Sequence, residues 1–219
     1  AGSPIAPGDN AHASITVLLG NGDGTFRESI SPLPFSGLDG FVAADLNSDG
    51  KLDLATTSTG FTLQMLRGNG DGTFQAPVGT PSGLTNLVTN GNTIVAVDLN
   101  GGGGKDLIIS GDFGKSNVNG VAIFLNDGTG NFLAGQSYPV GGWQYAPIVG
   151  ADFNGDGKTD TVMASGCSEG SGHCPDGSIN VLFGNGDGTF QGPLVVTSPA
   201  GGVGVHSAGV TDFNGDGIP

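Results

Sequence analysis

The sequence predicts an all-β fold made of repeated four-stranded antiparallel sheets, with almost no helix. An acidic loop motif begins at residues 45, 98, 152 and 212, at intervals of 53, 54 and 60 residues. A glycine-rich hairpin motif ends in phenylalanine at residues 26, 74, 132 and 190, at intervals of 48, 58 and 58 residues. No stretch shows the sustained 3.6-residue apolar period of a helix. Periods of this length indicate a repeat protein in which each unit is one four-stranded blade.

The composition also favours strands and tight turns. The 219 residues include 44 Gly and 12 Pro, and only two of the 20 acidic residues, Glu28 and Glu169, are glutamates. Helix surfaces favour Glu, Lys and Arg, whereas turns favour Asp, Asn and Gly. Because the glycines recur with the repeat, we interpret them as turn residues.

The net charge of −14 argues against a nucleic-acid partner. The sequence has no apolar run long enough to span a bilayer, so we expect no membrane insertion. The chain opens with AGSP, as a mature secreted protein would after cleavage at a small-residue site, and as a fragment of a longer chain also could. We therefore expect an extracellular or cell-surface location.

The acidic motif has the oxygen pattern of a calcium loop. In DLNSDGKLD (Asp45–Asp53), oxygen-bearing side chains occupy positions 1, 3, 5 and 9 and Gly occupies position 6. Ca²⁺ takes six to eight oxygen ligands. An EF-hand would also need flanking helices and a Glu at position 12, which is Thr56 here and Met163 in the third loop. The related loops are DLNGGGGKD (Asp98–Asp106), DFNGDGKTD (Asp152–Asp160) and DFNGDGIP from Asp212.

The hairpin motif divides the chain into blades. Each copy, such as VLFGNGDGTF ending at Phe190, is an apolar run, an Asn/Asp/Gly turn and an aromatic residue that opens another run. The first blade is predicted to have strands Phe41–Ala44, Leu54–Ser58 and Phe61–Leu66, and a fourth strand after Phe74. The predicted blades span about 41–79, 93–140 and 147–196, with strands 3 and 4 of a partial blade at 14–30 and the first strand of another, Ser207–Asp212, at 207–219.

Each repeat combines a strand, the loop DxNxDGxxD, a second strand and a hairpin with NGDGTF. This order, repeated four times, resembles the FG-GAP/VCBS repeats of integrin-alpha-like β-propellers. The resemblance implies a propeller with calcium in the strand 1–2 loops. In the family, position 7 ligates through its backbone carbonyl. The second loop has Gly102 at position 5, so we expect weak or absent binding there, and the fourth ends before position 9. The implied ligands are Asp45, Asn47, Asp49, Lys51 and Asp53; Asp152, Asn154, Asp156, Lys158 and Asp160; Asp98, Asn100 and Asp106; and Asp212, Asn214 and Asp216.

The face opposite the calcium loops is the expected binding face. In an up-and-down blade the 2–3 loops and 4–1 connectors share that face, and the 2–3 loops vary from a short turn near Gly60 to Gly111–Asn119 and Gly166–Gly177. Loops that vary on a constant scaffold commonly bind partners. Trp143 and Tyr145 lie in a 4–1 connector, where they either hold a sugar or protein partner or pack between blades.

We predict no catalytic centre. Residues 166–170 fit G-x-S-x-G, but the following SGHCPDGS cannot start the helix that a nucleophile elbow needs. Cys167 and Cys174 either form a local disulfide, which fits an oxidising compartment, or remain two free thiols. The expected function is a structural or adhesive module that binds protein or glycan. The alternative is a carbohydrate-active propeller, lectin-like or accessory to polysaccharide degradation, which a glycan array and a hydrolysis assay would separate from the first.

The two ends allow three arrangements. The trailing strand and the leading hairpin could complete a four-bladed ring that lacks one strand, or belong to a larger ring of which this is a fragment. They could also join different copies head to tail. A terminus inside a metal loop favours the fragment.

Overall fold

A computed structural model of the chain describes residues 13–28, 33–35, 38–58, 62–80, 87–88, 93–113, 118–140, 147–165, 178–197 and 209–213. All secondary structure in these residues is β, which confirms the predicted fold class. It follows that no described helix is long and apolar enough to cross a membrane. The strands are β1 (Ala13–Ile15), β2 (Leu18–Gly20), β3 (Phe26–Glu28), β4 (Leu33–Phe35), β5 (Leu38–Ala44), β6 (Asp53–Ser58), β7 (Thr62–Leu66), β8 (Val78–Thr80), β9 (Leu87–Val88), β10 (Ile94–Val97), β11 (Asp106–Phe113), β12 (Val118–Asn126), β13 (Phe132–Pro139), β14 (Ile148–Ala151), β15 (Asp160–Ser165), β16 (Ser178–Leu182) and β17 (Leu194–Thr197).

Two blades are four-stranded antiparallel meanders. Strands β5 to β8 form blade 1 and strands β14 to β17 form blade 3, each paired in chain order. In both blades the acidic loop joins the first two strands and the NGDGTF turn joins the last two. The order of strands and motifs within a blade is therefore the predicted one.

Blade 2 differs from the expectation in two ways. Strands β10 to β13 form the meander, and the short strand β9 adds to β11 through the pairs Asp112↔Val88 and Phe113↔Leu87. The predicted long 2–3 loop, Gly111–Asn119, is wrong, because Gly111, Asp112 and Phe113 continue the β11–β12 ladder. β11 thus extends beyond β10, and β9 pairs with the backbone groups that this extension would otherwise leave open.

The leading partial blade is a hairpin in which each of the two strands is interrupted. β2 pairs with β3, and β1 pairs with β4, so the chain runs out and back along the two strands predicted for this region. At the other end, residues 209–213 do not belong to a strand, although strand 1 of a further blade was expected from Ser207 to Asp212. A strand needs a neighbour to pair with its N–H and C=O groups.

The apolar core lies between blades. One cluster combines Leu46 and Leu63 of blade 1 with Leu107 and Phe124 of blade 2. A second combines Leu99 of blade 2 with Met163 and other residues of blade 3. A third joins the leading hairpin to blade 1. Each blade is thus held mainly by its neighbours, as in other repeat proteins.

Candidate metal loops

The acidic loops are folded around their own side chains. The position-1 carboxylate of Asp45 accepts N–H groups from Asp49 (3.1 Å) and Gly50 (2.8 Å). The position-3 amide oxygen of Asn47 accepts a second bond from the Asp49 N–H at 3.0 Å. Asp49 in turn accepts the Lys51 N–H at 2.9 Å. Such bonds to a backbone N–H two residues on are Asx turns, which favour Asp and Asn at these positions.

The third loop repeats this arrangement. Asp152 accepts the N–H groups of Gly155 and Gly157 at 2.7 and 2.8 Å, and Asn154 accepts that of Asp156 at 2.9 Å. These backbone donors, Gly157 first, lower the pKa of the Asp152 carboxyl. The position-1 carboxylate is therefore kept ionised, the form that a cation needs.

The second loop keeps the wrap without its position-5 carboxylate. Asp98 accepts the N–H groups of Gly101 and Gly103, both at 2.8 Å, and Asn100 accepts that of Gly102 at 2.8 Å. The backbone path consequently does not depend on a charge at position 5. What the second loop lacks is one oxygen donor.

Two left-handed residues bend each of the first three loops. Position 4 has φ of +61° at Ser48, +71° at Gly101 and +75° at Gly155. Position 6 is Gly in every loop, with φ of +81° at Gly50 and Gly157. Side-chain-bearing residues rarely adopt this conformation, so the loops demand glycine at position 6 and strain Ser48 at position 4.

The position-9 aspartate is a buried connector. Asp53 accepts the Leu46 N–H at 3.2 Å with one oxygen and the Gly68 N–H at 2.8 Å with the other. Leu46 lies in the acidic loop, whereas Gly68 opens the 3–4 hairpin. Asp106 and Asp160 make the same pair of bonds, to Leu99 and Asn126 and to Phe153 and Gly184. Each of these carboxylates therefore ties its acidic loop to the hairpin of the same blade.

Burial disfavours the ionised form of one of these carboxylates. It raises the pKa of Asp106, while the N–H groups of Asn126 and Leu99 oppose the rise. The nearby Asp98 charge raises the pKa further. A cation bound in the loop would lower the pKa of Asp106.

The 3–4 turns share a second repeated pattern of contacts. In the first turn Asn21 donates to the Thr25 hydroxyl at 2.9 Å, and that hydroxyl donates to Asp23 at 2.6 Å. The turns at Asn69–Thr73 and Asn185–Thr189 are identical in this respect. The variant turn NDGTGN keeps the chain of donors from Asn131 to Thr129 to Asp127, although the three residue types have exchanged places. These aspartates serve the turns and lie apart from the acidic loops in sequence.

Neighbouring blades meet at the acidic loops. The Leu46 carbonyl accepts the Asn126 side-chain N–H at 2.7 Å, and the Leu99 carbonyl accepts the Gly188 N–H at 3.1 Å. The Thr159 hydroxyl of the third loop donates to the Asp98 carbonyl at 2.8 Å. Every described loop between two blades therefore presents backbone carbonyls to the following blade.

Comparison with protein-family models assigns the repeats. The FG-GAP-like repeat model matches residues 5–56, 45–109, 98–163 and 152–219. The chain belongs to the FG-GAP-like repeat family. Three of the four matches begin at the first aspartate of an acidic loop, so a family unit runs from one loop into the next. Comparison with curated proteins gives no match to this chain.

The donor chemistry of the FG-GAP-like loops fits a hard cation. The loops offer carboxylate, amide and backbone oxygens, and an ionised carboxylate has about four lone-pair sites, of which the bonds to Asp45 use two. Lys51 and Lys158 stand at position 7, where a backbone carbonyl would complete the set. Within the described residues, however, no three His, Cys, Asp or Glu side chains converge closely enough to hold a metal ion. Calcium binding therefore stays a prediction.

Several predicted residues lie outside the described part of the chain. They include the aromatic pair Trp143 and Tyr145 and the cysteines Cys167 and Cys174. In the fourth loop Asp212 is described, whereas Asn214 and Asp216 are not. The connection that the position-9 aspartate makes between loop and hairpin was not predicted from the sequence. A signal for it exists, because Asp at position 9 is present in the second loop, where position 5 has lost its acid.

Proposed function

We propose that this chain is an extracellular β-propeller module that calcium stabilises and that binds a protein or glycan partner. The observation that carries the calcium part is the repeated loop wrap, with oxygen side chains at positions 1, 3, 5 and 9 of two complete loops. The first two loops also contact the following blade through backbone carbonyls, and Thr159 of the third loop contacts the Asp98 carbonyl of the preceding one. A cation that rigidifies the loop would consequently stabilise both a blade and a joint between blades.

A thermal melt with calcium and with excess EDTA tests this proposal. A site held at a hundred times its dissociation constant stabilises the fold by about 2.7 kcal/mol. Two complete loops would contribute about 5 kcal/mol in all, and for a chain of this size each kcal/mol shifts Tm by about 2–4 °C. We therefore expect a rise in Tm on the order of 10–20 °C with calcium.

Matched variants separate a loop effect from a general charge effect. The double variant D49N/D156N removes two position-5 carboxylates, which contact only nearby residues of their own loops. The control D23N/D187N removes the same charge from two hairpin turns. We expect the first variant to lose most of the calcium-induced shift and the control to keep it. An equal melt of the native chain in calcium and EDTA would refute the proposal.

The partner would lie on the face of 2–3 loops and 4–1 connectors. Support comes from the sequence, where Trp143 and Tyr145 stand in a connector on that face. A glycan array and a pull-down from extracellular matrix, each with the native chain and with W143A, would identify the class of partner. Retention by neither, or equal retention by W143A, would remove this residue from the binding site. A bound oligosaccharide that shortens with time would indicate an enzyme instead.

A further inference from the structure

A lysine at position 7 of the first and third loops lies over the 3–4 turn of its own blade. A Cβ atom added to Gly70, in the turn of blade 1, would lie 3.2 Å from the Cδ atom of Lys51. A Cβ atom added to Gly186, in the turn of blade 3, would likewise lie 3.2 Å from the Cδ atom of Lys158. The aliphatic stem of each lysine therefore runs from the acidic loop across a glycine of the turn. The same course in two blades makes it a repeated feature of the fold.

The ammonium groups of these lysines lie near carboxylates of both the loop and the turn. The Nζ atom of Lys158 is 3.6 Å from one oxygen of Asp156 at position 5, and the other oxygen accepts the Lys158 N–H at 2.9 Å. In the turn, the pKa of Asp187 is lowered chiefly by the threonine of that turn and in part by the Lys158 charge. The pKa of Asp71 in blade 1 is lowered by its own turn threonine and in part by the Lys51 charge. Each lysine thus places one positive charge between two acidic segments.

The second loop lacks both the position-7 lysine and the position-5 carboxylate. Position 5 is Gly102 and position 7 is Gly104. Over the matching turn glycine, Gly128, an added Cβ atom would meet no other atom of the described residues within 4 Å. The fourth loop has Ile218 at position 7 in the sequence. The lysine is therefore a property of two loops and is not required by the motif itself.

We propose that the position-7 lysine is a counter-ion built into the loop, and that it sets how tightly calcium binds. Without calcium, the ammonium group partly neutralises the position-5 carboxylate. With calcium bound, the same positive charge repels the cation and weakens its binding. Ligand charge is one of the quantities that tune calcium affinity, and extracellular modules have dissociation constants of about 10⁻⁴–10⁻³ M. The lysine moves the loops toward that range, so this inference rests on the proposed calcium binding and adds an affinity class to it.

The double variant K51M/K158M tests the effect on affinity. Methionine keeps an apolar stem over the turn and the backbone carbonyl at position 7, but it removes the charge. We expect calcium to bind about three to ten times more tightly than to the native chain at low salt, because a Coulomb repulsion is lost. Isothermal titration calorimetry with calcium chloride measures it. The difference should shrink from about 0.01 M to about 1 M salt, since the screening length falls from about 30 Å to about 3 Å.

Two control variants separate a local charge from other effects. K51R/K158R keeps both charges at position 7 and should bind calcium as the native chain does. R27M/K105M removes two positive charges from exposed residues and leaves position 7 unchanged. Because distant exposed charges are screened by salt, this control should change the affinity by less than about twofold.

A thermal melt in excess EDTA at low salt tests the counter-ion without calcium. K51M/K158M leaves the two position-5 carboxylates without the neighbouring positive charge. Exposed ion pairs contribute little to stability, so we expect a fall in Tm of about 1–8 °C relative to the native chain. K51R/K158R should melt with the native chain.

The possible outcomes distinguish this inference from the proposed function. If calcium binds the native chain and K51M/K158M with equal affinity, the inference is overturned and the proposed function stands. An equal gain in affinity in R27M/K105M also overturns the inference, because the effect would then belong to the overall charge. A native chain that binds no calcium refutes the proposed function and the effect on affinity together. The melt in EDTA still decides the counter-ion role in that case, and an unchanged Tm of K51M/K158M overturns it.

Discussion

The position-9 aspartate offers a test of loop structure that is independent of calcium. Asp160 is fully buried, and its two oxygens accept the N–H groups of Phe153 at 3.0 Å and Gly184 at 2.8 Å. The substitution D160N keeps the shape of the side chain. It replaces one acceptor oxygen by an NH₂ donor, which then faces a backbone N–H. One of the two bonds between loop and hairpin is therefore lost, and a buried donor is left without an acceptor.

The expected cost follows from these contacts. A hydrogen bond to a charged group contributes about 1.5–3 kcal/mol, and an unsatisfied buried donor costs about 1–3 kcal/mol. Because the two terms overlap at one N–H, we expect a loss of about 2–4 kcal/mol. For a chain of this length that loss corresponds to a fall in Tm of roughly 5–15 °C.

The assay is a thermal melt of native chain, D160N and D156N in excess EDTA. D156N is the matched control, because this substitution removes the same charge from the same loop at an exposed position. Its amide oxygen can still accept the Lys158 N–H, and its ion pair with Lys158 at 3.6 Å is of the exposed kind that contributes at most about 1 kcal/mol. If D160N melts with the native chain in EDTA, position 9 acts only through a bound cation and the connector argument is wrong.

Three further predictions concern single positions. G102D should supply the missing carboxylate of the second loop and raise the calcium stoichiometry by one in isothermal titration calorimetry. The new Cβ would lie 2.8 Å from the Asn100 Oδ1, which is the end of a side chain and can shift. An unchanged stoichiometry would contradict the prediction. S48G should raise the free energy of unfolding by about 0.5–1 kcal/mol in a denaturant titration. The reason is that relief of left-handed strain, about 1–2 kcal/mol, exceeds the entropic cost of glycine, roughly 0.5–1 kcal/mol. A less stable variant would show that Ser48 is not strained. T129V should raise the pKa of Asp127, which the Thr129 hydroxyl and N–H lower to about 2. The lowered pKa stabilises the fold at pH values above the ordinary pKa of an aspartate, and this contribution is lost as the pH falls through about 2. An NMR titration in which Asp127 has the same pKa in the native chain and in T129V would refute the assignment.

The repeats were predictable because their signals are local. A left-handed turn needs glycine at fixed places, and the Asn–Thr–Asp contacts need those residue types within five positions. Both requirements are satisfied within one short segment, so the sequence shows them directly. The blades follow, since two hairpin signals in each repeat account for four strands.

The parts that sequence analysis missed depend on contacts between distant segments. Strand β9 is only Leu87–Val88, and its partner Asp112–Phe113 had been assigned to a loop. Nothing in either segment alone indicates pairing, because the ladder forms only once β11 and β12 have extended past β10. The connecting role of Asp53 likewise depends on the Gly68 N–H, fifteen residues away, which comes close only in the folded blade.

Metal binding and blade docking use different parts of the same loop. The contacts with the following blade come from carbonyls at positions 1 and 2, and the Asp98 carbonyl at position 1 accepts the Thr159 hydroxyl of the next loop. The connection within the blade comes from the carboxylate at position 9. Neither uses position 5. The second loop illustrates the consequence, because it has Gly102 at position 5, yet its Asp98 and Leu99 carbonyls still accept the bonds from the following blade and Asp106 still accepts both of its backbone N–H groups. A repeat can therefore lose a cation ligand and keep its contacts with the next blade, whereas loss of the position-9 carboxylate would weaken the connection between loop and hairpin whether or not a cation binds.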